Sequence, residues 1–242
     1  MRSCLLLFVV IINNYSFAKI GIISYGSLVK WQKHSITGAQ LKAAPFIPAP
    51  IHFPISLSML ANTNRITAVI DVKEGAPKRI WIAESHYKNF DAAMQNLAAR
   101  EGAAYDETSD RYDSSRLYYI KKVDTRYKLK NDEEYVSSYP EWILRNDSNP
   151  RQKLCQDNLQ QLIQWAASKN YSAMIWTSCP IVILPLQKLL ERLITDPVLL
   201  KNAQNYINAL PDGAATQLEK AILAGKKSLK TFYDLHLMHE TL

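Results

Sequence analysis

Two short segments of this chain carry residue types from which a catalytic pocket could be built. The first is Tyr25-Gly26-Ser27-Leu28, which follows an apolar stretch near the start. A strand that ends in a turn of small residues can direct backbone N–H groups towards an anion. The second is Arg100-Glu101-Gly102, where a carboxylate on the apolar face of a helix can act as a partly desolvated base. Together they predict a pocket for a substrate with a free carboxylate and an amine to be deprotonated.

The helix that would carry Glu101 is the clearest element of the sequence. Asn89 is a good N-cap and Gly102 is a good residue for ending a helix, so a helix is predicted between them. Its apolar stripe consists of Phe90, Met94 and Leu97, with Ala93 and Ala98 beside it. Extending this stripe by one turn gives Glu101, whereas Arg100 is expected to point elsewhere.

Structural roles are also open to these residues. Glu101 could be an edge residue on the last turn of a helix, and Tyr25 could simply pack in the core. Ser27 is predicted to be a turn residue rather than a nucleophile, because neither a Ser-His-Asp arrangement nor a G-x-S-x-G motif is present.

The remaining pattern is rich in strands, with helices inserted between them and a helical segment at the end. Strands are predicted over Lys19–Ser24, Ile51–Ser58, Arg65–Asp71, Arg79–Ala83, Arg116–Lys122 and Ser172–Thr177. A long loop is predicted over Val29–Pro50, a turn over Lys73–Lys78, a second helix over Arg151–Lys169, and helices broken at Pro197 and Pro211 from Leu184 onward. This order indicates an α+β fold, a small mixed-sheet barrel with packed helices and a C-terminal helical extension.

Composition and charge exclude several classes of protein. The 242 residues are 48% apolar and 21% charged, which is ordinary for a globular chain and unlike a disordered or collagen-like one. The net charge is +7, but Lys and Arg are scattered and no zinc-finger, RNP or helix-turn-helix signature is present. A solvated basic surface is therefore favoured over a nucleic-acid partner.

The first 18 residues have the pattern of a secretory signal peptide. Arg2 supplies the positive charge, Cys4–Ile12 is a short apolar run, and Ser16 and Ala18 fit a cleavage site. A secreted or periplasmic location follows, with no membrane span after signal removal, because no other stretch is long and apolar enough. A misassigned start codon and an apolar N-terminal strand are the alternatives.

The cysteine and histidine residues give weaker indications of a disulfide or of a metal site. Cys4 would leave with the signal peptide, so Cys155 and Cys179 remain, and the sequence permits a disulfide between them without requiring one. His236 and His239 are three residues apart on a predicted helix, but no carboxylate or Cys completes a zinc signature. No metal site is predicted.

The Tyr25–Leu28 turn after an apolar first strand resembles the substrate-binding loop of gamma-glutamylcyclotransferase-like proteins. The helix that ends in Glu101-Gly102, followed by Tyr105, resembles the segment of that family that carries the catalytic glutamate. Between them, Phe53–Ser58 and Arg65–Asp71 occupy positions where such proteins have two barrel strands. Many cyclotransferases have Asn at the position of Leu28. The leucine of this chain resembles the glutathione-degrading branch of the family instead.

The resemblance implies an enzyme that cyclises a gamma-glutamyl amine or peptide to 5-oxoproline and releases the amine. The loop Tyr25–Leu28 would hold the alpha-carboxylate of this small-molecule substrate through backbone N–H groups. Glu101 would be the general base, and Tyr105 would hydrogen-bond Glu101 or the substrate. No metal or cofactor is implied, since the attack is intramolecular and needs mainly orientation and a base.

The resemblance covers Ile20–Lys122 and extends to Thr177 at most. Together with the signal peptide at 1–18, it predicts a cyclotransferase-like domain at 19–180 and a helical extension at 181–242. Two other functions stay open. One is an exported binding or interaction protein that keeps the fold without the chemistry, with the helical extension docking a partner or forming a homodimer. The other is a hydrolase or transferase of another gamma-linked peptide.

Overall fold

The structure is a computed structural model that describes residues 19–33, 38–59, 66–72, 75–101, 105–106, 111–112, 117–120, 154, 156–177, 184–211 and 216–240. The predicted signal peptide at 1–18 and the predictions for Cys155 and Cys179 lie outside these residues.

The described elements alternate between strands and helices before a run of helices. The strands are β1 (Lys19–Ser24), β2 (Ile47–Met59), β3 (Ile66–Ile70), β4 (Ala76–Glu84), β5 (Tyr105–Asp106), β6 (Arg111–Tyr112), β7 (Leu117–Ile120) and β8 (Tyr171–Thr177). The helices are α1 (Phe90–Glu101), α2 (Gln156–Ser168), α3 (Leu186–Thr195), α4 (Pro197–Ala209), α5 (Gln217–Ala224) and α6 (Lys226–Glu240).

Six strands form one mixed sheet in the order β3-β2-β4-β1-β8-β7, and β5 and β6 form a separate antiparallel pair. Neighbouring strands of the sheet run antiparallel, apart from β1 and β8, which are parallel. In the described residues β3 and β7 are edge strands that do not pair with each other, so the sheet is open. The α+β class is confirmed, whereas the predicted closure into a barrel is not seen in this part of the chain.

Two segments predicted as loop or turn overlap strands of the sheet, and in both cases the reason is pairing between distant strands. The predicted loop Val29–Pro50 is too long, because β2 already begins at Ile47, which pairs with Ile82 on β4. The predicted turn Lys73–Lys78 also overlaps a strand, since β4 begins at Ala76 and continues the ladder with β2. Proline and charged residues in these stretches favour turns locally, and the cross-strand ladder overrides that preference.

Helices α1 and α2 cover opposite faces of the sheet. On β8, Met174 and Trp176 pack in one core cluster with residues of α2, whereas Ala173 and Ile175 pack in another with residues of α1. This alternation follows from the strand geometry, in which successive side chains point to opposite faces. The sheet thus holds the end of α1 close to the strands it covers.

Helices α3–α6 pack against the end of the sheet formed by β2 and β3. Leu57, Met59 and Ile66 share a buried cluster with leucine and isoleucine side chains of these helices. The backbone N–H of Ala68 on β3 also donates to the hydroxyl oxygen of Tyr206 on α4, at 2.9 Å. The division of the chain near residue 180 stays a prediction, and the two parts share a core.

Candidate functional site

A small cleft of about 60 Å³ lies where the parallel strands β1 and β8 end, beside the last turn of α1. Among its lining residues are Tyr25, Gly26, Leu28, Glu101 and Tyr206. The structure therefore brings the turn after β1 and the glutamate at the end of α1 to one cleft, although β2, β3 and β4 lie between them in sequence.

Tyr25 fixes the start of the turn. Its side chain is buried, and its hydroxyl donates a 2.6 Å hydrogen bond to the carbonyl of Thr177 at the end of β8. Its ring also lies against Phe53, with 6.3 Å between the ring centroids. The side chain thus ties the turn to two strands, which is a positioning role.

Gly26 lies where little space is available for a side chain. A Cβ atom at this position would be 3.1 Å from the Tyr206 hydroxyl oxygen and 3.5 Å from the Cβ of Ala68. Its N–H makes a long contact of 3.4 Å with the Oγ of Ser24. Glycine therefore lets α4 approach the turn closely.

The rest of the turn is a short 3-10 helix, Ser27–Val29. Leu28 is buried in the same cluster as Leu97 of α1, so its side chain anchors the turn. For Ser27 the structure describes the backbone alone. The buried side chains of Tyr25 and Leu28 hold the turn at the edge of the cleft.

Arg100 corrects one expectation from the sequence. The apolar stripe predicts that it points away from the buried face, but it is 5% exposed and lines the cleft together with Glu101. Ala93, Leu97 and Arg100 are spaced by four and three residues, which places all three on the buried face of α1. Glu101 is the more exposed of the pair, with 19% of its side chain accessible.

The two charged side chains at the end of α1 form an ion pair. Nη1 of Arg100 donates to Oε1 of Glu101 at 2.9 Å, and Nη2 donates to the carbonyl of Trp31. Within the described part of the chain, Oε2 of Glu101 has no hydrogen-bond partner. One carboxylate oxygen is thus held by the guanidinium, and the other is not used by the described protein atoms.

Tyr105 follows α1 in sequence and lies on β5, where it pairs with Tyr112 of β6. The structure describes its backbone alone. Its predicted hydrogen bond to Glu101 or to the substrate stays a prediction.

Two groups with a shifted pKa lie away from the cleft. The pKa of the Glu84 carboxyl is lowered mainly by its hydrogen bond from Lys88, with burial acting in the opposite direction and the charges of Lys88 and Lys19 adding to the lowering. Burial raises the pKa of the Tyr171 hydroxyl, and the charge of Glu84 raises it further. Because Gly21 on β1 pairs with Glu84, these groups belong to the sheet rather than to the cleft.

A larger cavity of about 390 Å³ lies between β2 and helices α3, α5 and α6. Its walls are mostly apolar and include Leu57, Leu189 and Phe232. Asp71 also lines it, and its Oδ2 accepts a 3.2 Å hydrogen bond from Ser56. The sequence predicts neither a catalytic base nor a nucleophile at this cavity.

Arg100 and Tyr206 line the cleft, although the sequence analysis did not assign them to it. Arg100 was misplaced, although its spacing from Leu97 carried the signal. Tyr206 comes from α4, in a segment predicted to lie outside the catalytic domain, and no local pattern marks it.

Among the described residues there is no group of three or more His, Cys, Asp or Glu side chains placed to hold a metal ion. None of the described helices has the length and apolar character needed to cross a membrane.

No protein-family model matches the chain, and neither a curated protein nor a solved structure does. The resemblance to gamma-glutamylcyclotransferase-like proteins therefore depends on the residues of the turn and of α1.

Proposed function

We propose that this protein is a gamma-glutamylcyclotransferase-like enzyme that converts a gamma-glutamyl amine or peptide to 5-oxoproline and a free amine. The observation that carries the proposal is the meeting of the Tyr25–Leu28 turn and Glu101 at one cleft. The proposal also includes the fold of the family, in which the sheet closes into a barrel.

In the proposed reaction the substrate's own amine is the nucleophile. Oε2 of Glu101 takes a proton from the alpha-ammonium group, and the freed nitrogen attacks the gamma-carbonyl carbon. The new C–N bond closes the five-membered ring as the gamma-amide C–N bond breaks. The attacking nitrogen also gives up a second proton, so the departing nitrogen receives both protons and leaves as the protonated amine. Orientation of reacting groups in one molecule accounts for much of the acceleration, so the proposed step uses no metal or cofactor.

The size of the cleft fits the head group of an amino acid. A volume of about 60 Å³ corresponds to a few water molecules, since one water needs roughly 10–15 Å³ by this measure. The alpha-carbon with its amine and carboxylate is of this size. The departing amine or peptide would then extend out of the cleft.

Release of 5-oxoproline from a panel of gamma-glutamyl amines and peptides tests this proposal. Glu101→Gln is expected to reduce turnover by about 10²–10⁴-fold, because it removes the base and keeps the shape of the side chain. Glu191→Gln, which changes an exposed glutamate of α3, is the matched control and is expected to keep wild-type turnover. Full activity in Glu101→Gln would contradict the assigned base, and release of glutamate instead of 5-oxoproline would indicate a hydrolase.

A second candidate function is ligand binding without catalysis. The apolar cavity of about 390 Å³ beside β2 favours it, because this volume lies in the range of small-molecule sites. Absence of 5-oxoproline release across the panel, together with binding of an apolar probe that Leu189→Trp abolishes, would support this alternative.

Export and self-association belong to the proposal as well. The pattern at 1–18 supports a secreted or periplasmic enzyme, tested by finding the protein in the exported fraction with a new N-terminus at Lys19. Val198 and Leu235 are exposed on the C-terminal helices and would contribute to a homodimer. Sedimentation of wild type and of Val198→Glu tests the dimer.

A further inference from the structure

The guanidinium group of Arg100 is buried beside the proposed base. Its side chain is 6% exposed, and burial of a charge is costly unless the charge is paired. Of its five N–H donors, the described contacts use one on Nη1 and one on Nη2. Its Nε is buried and has no hydrogen-bond partner among the described residues, and Nη1 and Nη2 each carry a second N–H. The group therefore has donor capacity that the described protein atoms do not use.

We propose that Arg100 binds the alpha-carboxylate of the substrate while Glu101 binds its alpha-amine, so that the ion pair at the end of α1 recognises the head group of an alpha-amino acid. This inference rests on the proposed function for the class of substrate. In this arrangement the charge of Arg100 and the backbone N–H groups of the turn after β1 would bind the alpha-carboxylate together.

Charge and distance both support this assignment. An alpha-amino acid carries its carboxylate and its ammonium group on one carbon, so their receptors must be adjacent. Nη1 of Arg100 and Oε1 of Glu101 are 2.9 Å apart, and both residues line the same cleft. The negative group of the ligand would face the guanidinium and the positive group would face the carboxylate, so neither protein charge would lose its compensation.

The hydrogen bond from Nη2 to the carbonyl of Trp31 holds the guanidinium in place. Trp31 follows the turn Tyr25–Leu28 in sequence, so this contact links the end of α1 to the chain that leaves the turn. Nη1 and Nη2 each keep a second N–H beyond the bonds to Glu101 and Trp31, and a guanidinium held in place can donate these two N–H groups to the oxygens of a carboxylate.

Calorimetric binding of two non-reacting probes tests the proposal. The probes are L-glutamate and L-isoglutamine, which differ only in that the alpha-carboxylate of the first is an amide in the second. Wild type is expected to bind L-glutamate about 10–100-fold more tightly, the usual range for a hydrogen bond to a charged group. In Arg100→Gln this ratio is expected to fall about tenfold, while the contribution of the backbone N–H groups of the turn is kept. Arg79→Gln, which changes an exposed arginine of β4, is expected to keep the wild-type ratio.

Arg100→Lys keeps the charge without the planar fork and is expected to give an intermediate ratio, which also serves if Arg100→Gln does not fold. An unchanged ratio in the Arg100 variants would overturn the proposal, and so would equal affinity of wild type for both probes or binding of neither. Because binding of these probes needs no turnover, a collapsed ratio without 5-oxoproline release would overturn the proposed function alone. Turnover with an unchanged ratio would overturn this inference alone.

Discussion

The ammonium group of Lys78 on β4 contacts the carboxylate of Glu219 on α5, at a separation of 141 residues in sequence. Both side chains are buried, with 4% and 0% of their surfaces exposed. Glu219 also accepts the backbone N–H of Thr216 at 3.0 Å, as part of the capping box that begins α5. This ion pair joins the sheet to the C-terminal helices at a point that water does not reach.

Lys78→Met is expected to lower the free energy of unfolding by about 3–5 kcal/mol, because the buried carboxylate of Glu219 would lose its ammonium partner. Urea unfolding followed by circular dichroism measures the change. The double variant Lys78→Met with Glu219→Gln removes both charges and keeps a capping side chain, so it is expected to recover part of the loss. A loss below about 1 kcal/mol in Lys78→Met would contradict this view of the pair.

Gly26→Ala is expected to disturb the contact between the turn and α4. The added Cβ would approach the Tyr206 hydroxyl, which accepts the N–H of Ala68, and displacing that hydroxyl is expected to cost about 1 kcal/mol. Tyr206→Phe removes the oxygen that the Cβ would meet. The costs of the two substitutions in urea unfolding should therefore not add, with a coupling of about 0.5 kcal/mol or more, and strict additivity would contradict the contact.

Tyr25→Phe is expected to lower the free energy of unfolding by about 1 kcal/mol, through loss of the hydrogen bond to the carbonyl of Thr177. The ring and its contact with Phe53 are kept, so the fold should survive. If the turn positions the substrate, the Michaelis constant for a gamma-glutamyl substrate should rise as well. Unchanged stability and kinetics would show that the hydroxyl does not anchor the turn.

The shifted pKa of Glu84 gives a prediction for acid stability. Its pKa is lowered in the folded protein from the ordinary value of 4.5, so its stabilisation is present above about pH 4.5 and is lost as the pH falls through the folded value. Glu84→Gln should lower the melting temperature at neutral pH by a small amount, since pairs this exposed contribute about 0.2–1 kcal/mol. The difference from wild type should shrink below pH 4.5, and a difference that grows there would contradict the sign.

Several elements could be predicted from local sequence because local interactions determine them. The predicted strand Lys19–Ser24 is confirmed with the same bounds, as β1. The predicted cap of α1 is confirmed by a 3.1 Å hydrogen bond from the N–H of Ala92 to Oδ1 of Asn89. A run of apolar residues and a capping side chain depend on neighbours within a few positions, so the sequence displays them directly.

Tertiary structure decided the rest. The spacing of Arg100 from Leu97 indicates the buried face of α1, but only packing against the chain around Trp31 decides how its guanidinium is held. Only the approach of α4 brings Tyr206 to the cleft. By itself the sequence determined the α+β class, the turn after β1 and the helix that ends at Glu101. The order of the strands in the open sheet depends on contacts between residues distant in sequence, and so does the set of side chains around Glu101. The energies of such contacts depend on a geometry that no local pattern contains.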